Sequence, residues 1–372
     1  MTDEIKVIKG SGGPPPPPPP PYRAPDTLHS RSFATVQDLI SEGEIEGFAS
    51  ASKAQLTKGT TAYDNASLKD IFLNDTPILQ ETASNSSPVD TDFNFKDVVF
   101  KSRFGTSSQT ALSGIPAESR SPTGVGVIVT TSAPVTRQIT NTDVDAVIVT
   151  LTWPQIQVFG DEGDIRGDTV EYKIQIQHDS GGFVDKITAS VDGRTADAYA
   201  RDHRIQLTSG FTTVDVRVVR VTADSTSTQR VNAFQFTSLQ EVIDNNSTYA
   251  NSAYTALRFD SKQFNRVPSR KYRIRGVKVR IPGAGASGTG TPTVDIQTGR
   301  IIYPSGYVFN GVMGAAVYTN CPAMCLLDLL TNTRYGLGNH IVDSNIDLFS
   351  FVAASKYANE EVDDGTGSGA KE

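Results

Sequence analysis

Ala146-Val-Ile-Val-Thr-Leu-Thr-Trp153, Thr169-Val-Glu-Tyr-Lys-Ile-Gln-Ile-Gln177 and Val214-Asp-Val-Arg-Val-Val-Arg-Val221 decide the fold class. Each run is rich in β-branched residues and alternates apolar with polar side chains. That is the period of a strand with one face turned to a core. Val184–Val191 and Ala233–Leu239 supply further strands. Turn sequences such as Asp179-Ser-Gly-Gly182 and Val191-Asp-Gly-Arg194 separate them. The spacing reads as an immunoglobulin-like or fibronectin-III-like sandwich over residues 133–238. Trp153, the only tryptophan, is expected as a core aromatic of that sandwich.

Toward the C-terminus, Ala253–Phe259 reads as a strand, and Lys271–Ile281 alternates basic and apolar residues as a second. Pro282–Pro292 is expected to be a mobile loop. Val294–Pro304 reads as a hairpin turning at Thr298-Gly299. Helix is expected only near the end. Pro322 suits a first helical turn, and Met324, Leu327 and Leu330 form a stripe over Ala323–Leu330. A second helix is expected over Ile346–Asn359, with Asp343 or Ser344 as its cap. The glycine-rich stretch Asp363–Gly369 lies close to the end of the sequence.

Toward the N-terminus, Leu68–Leu73 and Asp97–Phe104 read as strands, with Asn74-Asp75-Thr76-Pro77 as a turn. Phe33, Val36, Leu39 and Ile40 begin the ordered region, which is expected to start near Arg31. Residues 1–30 read as a disordered arm, because Pro14–Pro21 are eight consecutive prolines. Such a run adopts extended polyproline II without internal hydrogen bonds and serves here as a stiff spacer. The class is therefore mainly β, with short helices late in the chain.

Composition narrows function. With 372 residues and a formal net charge of −7, the chain gives no general reason to bind nucleic acid or anionic lipid. No apolar run approaches the roughly 18 residues that a membrane helix needs, and no membrane role is expected. The start lacks an apolar signal core, and two cysteines make no disulfide framework.

Glu42, Glu44 and Glu46 are the densest carboxylate cluster. If extended, this segment places all three on one side, where they repel unless a basic partner faces them. A solvated or subunit-facing edge is preferred to a hydrolase site, which needs two carboxylates driven to different pKa values. Cys321 and Cys325 stand one helical turn apart, with His340 the one further soft ligand nearby. A metal needs four ligands, so buried free thiols beside Met324 and Leu329 are expected, and no cofactor. The other histidines, His29, His178 and His203, accompany no nucleophile motif, and no catalytic activity is expected. Asp161, Glu162 and Asp164 lack the spacing of a calcium loop. Lys271, Arg273 and Arg275 are expected on one strand face, continued by Lys278 and Arg280. Salt bridges between subunits, with the Glu42–Glu46 segment as a candidate partner, are preferred over phosphate contact.

Val36-Gln-Asp-Leu-Ile-Ser-Glu-Gly-Glu-Ile-Glu-Gly47 resembles the opening of the phage tail-tip host specificity protein J family, typified by phage lambda. Ile71-Phe-Leu-Asn-Asp-Thr-Pro-Ile-Leu79, Thr237–Ile243, Ala256–Phe264, Arg270–Val277, Cys325–Gly338 and Asp364-Gly365 continue the resemblance in the family's order. It implies a discontinuous hub domain, over residues 31–132 and 239–372, with the sandwich inserted between its parts. It also implies a homotrimer in the virion that closes the tail tube. Such a hub docks on the distal tail ring and other tip proteins, holds the tape-measure protein, and opens for DNA release. Family members are usually far longer. The receptor-binding part is therefore expected on a separate chain or a missing region. On the matched motifs and the charge pattern, Glu42, Glu44, Glu46, Arg273, Arg275, Arg334 and Tyr335 are the expected interface residues, with Gly336 helping to fix the turn after the helix. Two rival readings are a glycan-binding adhesin that works as a monomer, and a cell-wall hydrolase acting through Glu42 or Glu46.

Overall fold

The computed structural model describes residues 20–114, 116–119 (backbone only), 121–244 and 246–362. Most of the proline tract and the Asp363–Gly369 stretch lie outside the described residues. The chain divides into two units. One comprises Glu118–Ile243 with the described residues up to Ser30; the other comprises Arg31–Ala117 with the chain from Asp244 onward.

The first unit is an antiparallel sandwich. One sheet orders Val184–Gly193, Asp168–His178, Val214–Arg220 and Val135–Ile139. The other orders Tyr199–Gln206, Ala146–Trp153, Gln235–Asp244 and Pro116–Ser119, with Thr123–Ile128 also on Gln235–Asp244. The alternation behaves as its period requires. Val147, Val149, Leu151 and Trp153 face inward with Tyr172, Ile174, Ile176, Val214, Val216 and Val218 in one core. Each such large side chain contributes roughly 1.5–3 kcal/mol by leaving water. Trp153 is fully buried, with Phe234 stacked on it at 5.0 Å between ring centres and Tyr172 tilted against it at 5.4 Å.

Three expectations change here. The unit starts at Glu118 rather than near Ala133. It also uses Tyr199–Gln206 as a strand, which is not among the expected ones. Finally, order does not wait for Arg31. The Ala24 amide donates to Ile165, the Thr27 amide to Arg194, and the Ala200 amide to the Ser30 hydroxyl at 2.8 Å. Arg194 pairs with Asp26 at 2.8 Å, and Leu28 packs on the core. An extended segment spends its backbone donors and acceptors on the sandwich instead of on water.

In the second unit, Ser252–Asp260 lies between Phe33–Glu42 and Val99–Phe104 and is buried on both faces. Beneath it pack Phe48, Ala51, Tyr63, Ala66, Ile71, Leu73 and Ile78. Two of these elements correct the sequence reading. Ala49–Lys53 and Thr61–Leu68 are helices, so helix is not confined to the end, and only Ile71–Leu73 of the expected Leu68–Leu73 strand is extended. The Thr60 hydroxyl caps the second of these helices by accepting from the Tyr63 amide. Asn74 and Asp75 turn a two-residue hairpin with positive φ at both positions.

A smaller core joins Val279, Ile281 and Ile301 to Cys321, Met324 and Leu327. Thr293–Val294 and Ile301–Ile302 form the expected hairpin. Helices run over Pro322–Thr331 and Leu348–Ala358. The second is capped by Asp347, which accepts from the Phe349 and Ser350 amides; Asp343 and Ser344 instead lie in a short 3-10 turn. The Pro282–Pro292 loop, expected to be mobile, is tied by the Gly285 amide to Gly290 and by the Ala286 amide to Val308. Among the described residues, no helix is long and apolar enough to cross a membrane.

Candidate interaction surface

The acidic segment does not run straight. Gly43 has φ +92°, a left-handed conformation that glycine adopts without steric cost, and it turns the chain between Glu42 and Glu44. Glu42 ends one strand and accepts from Arg334 Nε and, at 3.2 Å, from the Ser252 hydroxyl. The Arg334 hydrogen bond holds its carboxyl below the usual glutamate range. Glu44 and Glu46 lie beyond the turn and pair with Lys278 Nζ at 2.8 and 3.7 Å. The three carboxylates thus serve two separate cations and do not form one row.

The basic stretch breaks in the same way. Arg270–Tyr272 pairs with Ile71–Leu73, Ile274–Val277 with Ile45–Phe48, and Val279–Pro282 with Met313–Val317. Three short strands with three partners replace the single strand expected. Lys271 reaches Asp75 on the surface. Arg273 binds Asp70 at 2.7 Å and Glu81 at 2.9 Å. Arg275 is buried, donates to the Ile296 carbonyl, and stacks over the Tyr318 ring. Arg280 forks onto Asp343 at 2.7 and 2.8 Å. A bridge between the basic stretch and the acidic segment does form, through Lys278, but it lies within one chain.

Arg334 and Tyr335 follow the Pro322–Thr331 helix. The Tyr335 hydroxyl donates to Asp328 at 2.5 Å, and burial pushes its pKa up. The Gly336 amide closes the turn on Asn332. A Cβ at Gly336 would sit 2.2 Å from the Leu329 carbonyl oxygen, so backbone approach excludes any other residue there. The helix itself is apolar on both sides. Met324 and Leu327 are buried, while Leu326 and Leu329 are 50% and 51% exposed. Cys321 is buried and touches the Ser355 hydroxyl, but Cys325 is exposed, which corrects the expectation of two buried thiols. Among the described residues, no three His, Cys, Asp or Glu side chains converge as a metal would require.

Sequence reasoning missed a second clasp. Asp38 accepts from Arg270 Nε at 2.5 Å, Arg270 Nη2 at 2.8 Å and the Tyr272 hydroxyl at 2.6 Å. The Arg270 hydrogen bond draws the Asp38 pKa down. Asp70 is fully buried and accepts from the Ser50 amide, the Ser50 hydroxyl and Arg273. No local spacing signals either site, because the partners are more than 200 residues apart along the chain, 232 for Asp38–Arg270 and 203 for Asp70–Arg273.

This geometry is that of a scaffold with ion-paired seams and an uncovered apolar helix face. Residues 119–245 match a family model described as the FNIII-A domain of tip attachment protein J. Nearly the whole chain, 96%, aligns at 30% identity with tip attachment protein J of Escherichia phage SECphi4 and covers 28% of it. Tip attachment protein J of Escherichia phage SECphi27 is 28% identical over 81% of the chain, which covers 23% of that relative. The chain therefore spans about a quarter of the length of these curated relatives. Among solved structures, a chain of the lipid-containing bacteriophage PM2 aligns with a TM-score of 0.21 at 12% identity, over 63% of this chain and 75% of that one, too low to bear on the fold.

Proposed function

We propose, for a chain that is a relative of the tip attachment protein J family, a structural and non-catalytic role at the tail tip of a long-tailed phage. In this reading three copies form a hub that closes the tail tube in the virion. The hub docks on the distal tail ring and neighbouring tip proteins, and holds the end of the tape-measure protein. Receptor contact, made by a region outside these 372 residues, opens it for DNA release. Opening of this kind needs a subunit interface with two stable arrangements.

The observation that carries the reading is the helix Pro322–Thr331. Its buried side packs through Met324 and Leu327, while Leu326 and Leu329 on the other side remain exposed beside Cys325, an apolar patch of the kind that an assembly covers. Its C-terminal half lies in the Cys325–Gly338 motif, where the sequence resembles the family. A second copy of the chain is the occupant assigned to this face. The strand Phe33–Glu42 offers a further surface, since among the described residues it is paired along one side only and exposes Leu39.

The test is the mass of the purified chain in solution, alone and with its distal-tail ring. A trimer, or three copies on the ring, is expected. The paired change Leu326→Glu and Leu329→Glu should yield a folded monomer. A wild-type monomer that ignores the ring would overturn the hub, and so would peptidoglycan cleavage that disappears in Glu42→Gln or Glu46→Gln.

A further inference from the structure

A pocket of about 320 Å³ opens in the second unit between Ala49, Ser50, Lys53, Lys69, Glu81 and Arg273. Its charge is unbalanced. Arg273 is spent on Asp70 and Glu81. Lys69 is only 8% exposed, yet its ammonium has one neutral partner, the Ala83 carbonyl at 2.6 Å, and pairs with no carboxylate among the described residues. Lys53 stands on the rim, and its ammonium likewise enters no ion pair among the described residues. Three cations, Lys53, Lys69 and Arg273, face two carboxylates, Glu81 and Asp70, which leaves one positive charge uncompensated.

A lysine ammonium taken out of water is unfavourable unless an anion or several acceptors replace the lost hydration. One carbonyl is a poor replacement. An anion entering the pocket would complete the missing pairing. We propose that this pocket is a docking site for an acidic side chain on a segment of a partner protein. The same wall already displays the chemistry, since Arg273 pairs with Glu81 at its rim. The volume suits a carboxylate side chain, and the acidic balance of the chain disfavours a long polyanion such as nucleic acid. The proposal does not depend on the tail-tip reading, because it rests on the charge and burial of Lys69.

The experiment titrates the full chain with a hexa-aspartate peptide, a hexa-serine control, inorganic phosphate and a single-stranded oligonucleotide, at matched ionic strength. Binding of hexa-aspartate alone is expected, weakened at least tenfold by Lys69→Met and clearly reduced by Lys53→Met. Lys53 is exposed, so its variant should keep the wild-type melting midpoint and remain informative if Lys69→Met folds poorly. No binding of hexa-aspartate, or binding unchanged in Lys53→Met, overturns the site. Equal or tighter binding of phosphate or the oligonucleotide overturns the acidic-peptide assignment.

Discussion

The two units are built on different principles. The sandwich is held by long ladders over one continuous apolar core centred on Trp153 and Phe234. The second unit has one long sheet, of Phe33–Glu42, Ser252–Asp260 and Val99–Phe104, but its remaining strands are short and fall in several small sheets over smaller cores, and it is stitched by polar contacts between distant segments. Glu42–Arg334 joins residues 292 apart, Glu44–Lys278 residues 234 apart, and Asp70–Arg273 residues 203 apart. In the first unit stability follows apolar burial; in the second, each clasp selects which segments meet. The proposed hub role, which calls for rearrangement, would be better served by the second kind of construction, since ion pairs exchange partners more readily than a packed core opens.

The largest expected effect tests the apolar side of this contrast. Phe234→Ala should destabilise the sandwich by about 3–5 kcal/mol, because it deletes a buried ring and leaves a cavity against Trp153. Trp153 is the only tryptophan, so its fluorescence follows this unit by itself. A shift below about 1 kcal/mol would mean that the core is not concentrated at this stack.

Asp70→Asn tests the polar side. The amide keeps the shape but removes the charge that accepts from Ser50 and Arg273, at an expected cost of about 1.5–3 kcal/mol. Near-ultraviolet circular dichroism of the tyrosines should report the loss while Trp153 fluorescence holds its midpoint. A joint fall of both signals would break the comparison, showing that the units unfold as one.

How far the sequence discloses each unit follows the same division. Strands such as Ala146–Trp153 and Val214–Arg220 are legible because a period of two and β-branched residues are local signals. Tyr199–Gln206 is not legible as a strand because Arg201, Asp202, His203 and Arg204 mask its alternation. In the second unit, Ala49–Lys53 and Thr61–Leu68 carry small polar residues without an apolar stripe, and tertiary packing of Ala51, Tyr63 and Ala66 settles their conformation. Lys271–Ile281 keeps a strand-like alternation, yet its backbone pairs in turn with three different strands, a choice made by residues far away in sequence. Of the interface residues, the charges are legible and the pairings are not. Spacing cannot announce that Glu42 meets Arg334 or that Gly43 turns Glu44 toward Lys278.

A smaller effect separates the units by pH. His203 accepts or donates a hydrogen bond with the Tyr172 hydroxyl at 2.8 Å, and burial, aided by the nearby Arg201 charge, lowers its pKa to about 4 from 6.5. The unfolded chain therefore binds this proton more readily than the folded one. Stability conferred by the neutral ring is complete above pH 6.5 and is lost as pH falls from there toward 4. Trp153 fluorescence melts should show a falling midpoint between pH 7 and pH 5, and His203→Gln should flatten the fall. An unchanged slope in His203→Gln would assign the acid sensitivity to other groups.

The smallest expected effect on folding is also the one that bears most on function. The Glu42–Arg334 pair is nearly half exposed on both sides, and exposed pairs are screened by water and salt. Glu42→Gln should leave the melting midpoint of the isolated chain unchanged at moderate salt, while Arg334 stays in place through the Ser252 hydroxyl. If three copies meet at this edge, as the hub reading requires of Glu42 and Arg334, the same substitution should weaken association in sedimentation experiments, most visibly at low salt. A melt that drops with no change in association would make the pair one more internal stitch. A change in association with no change in the melt would separate the residues that fold this unit from those that join it to its neighbours.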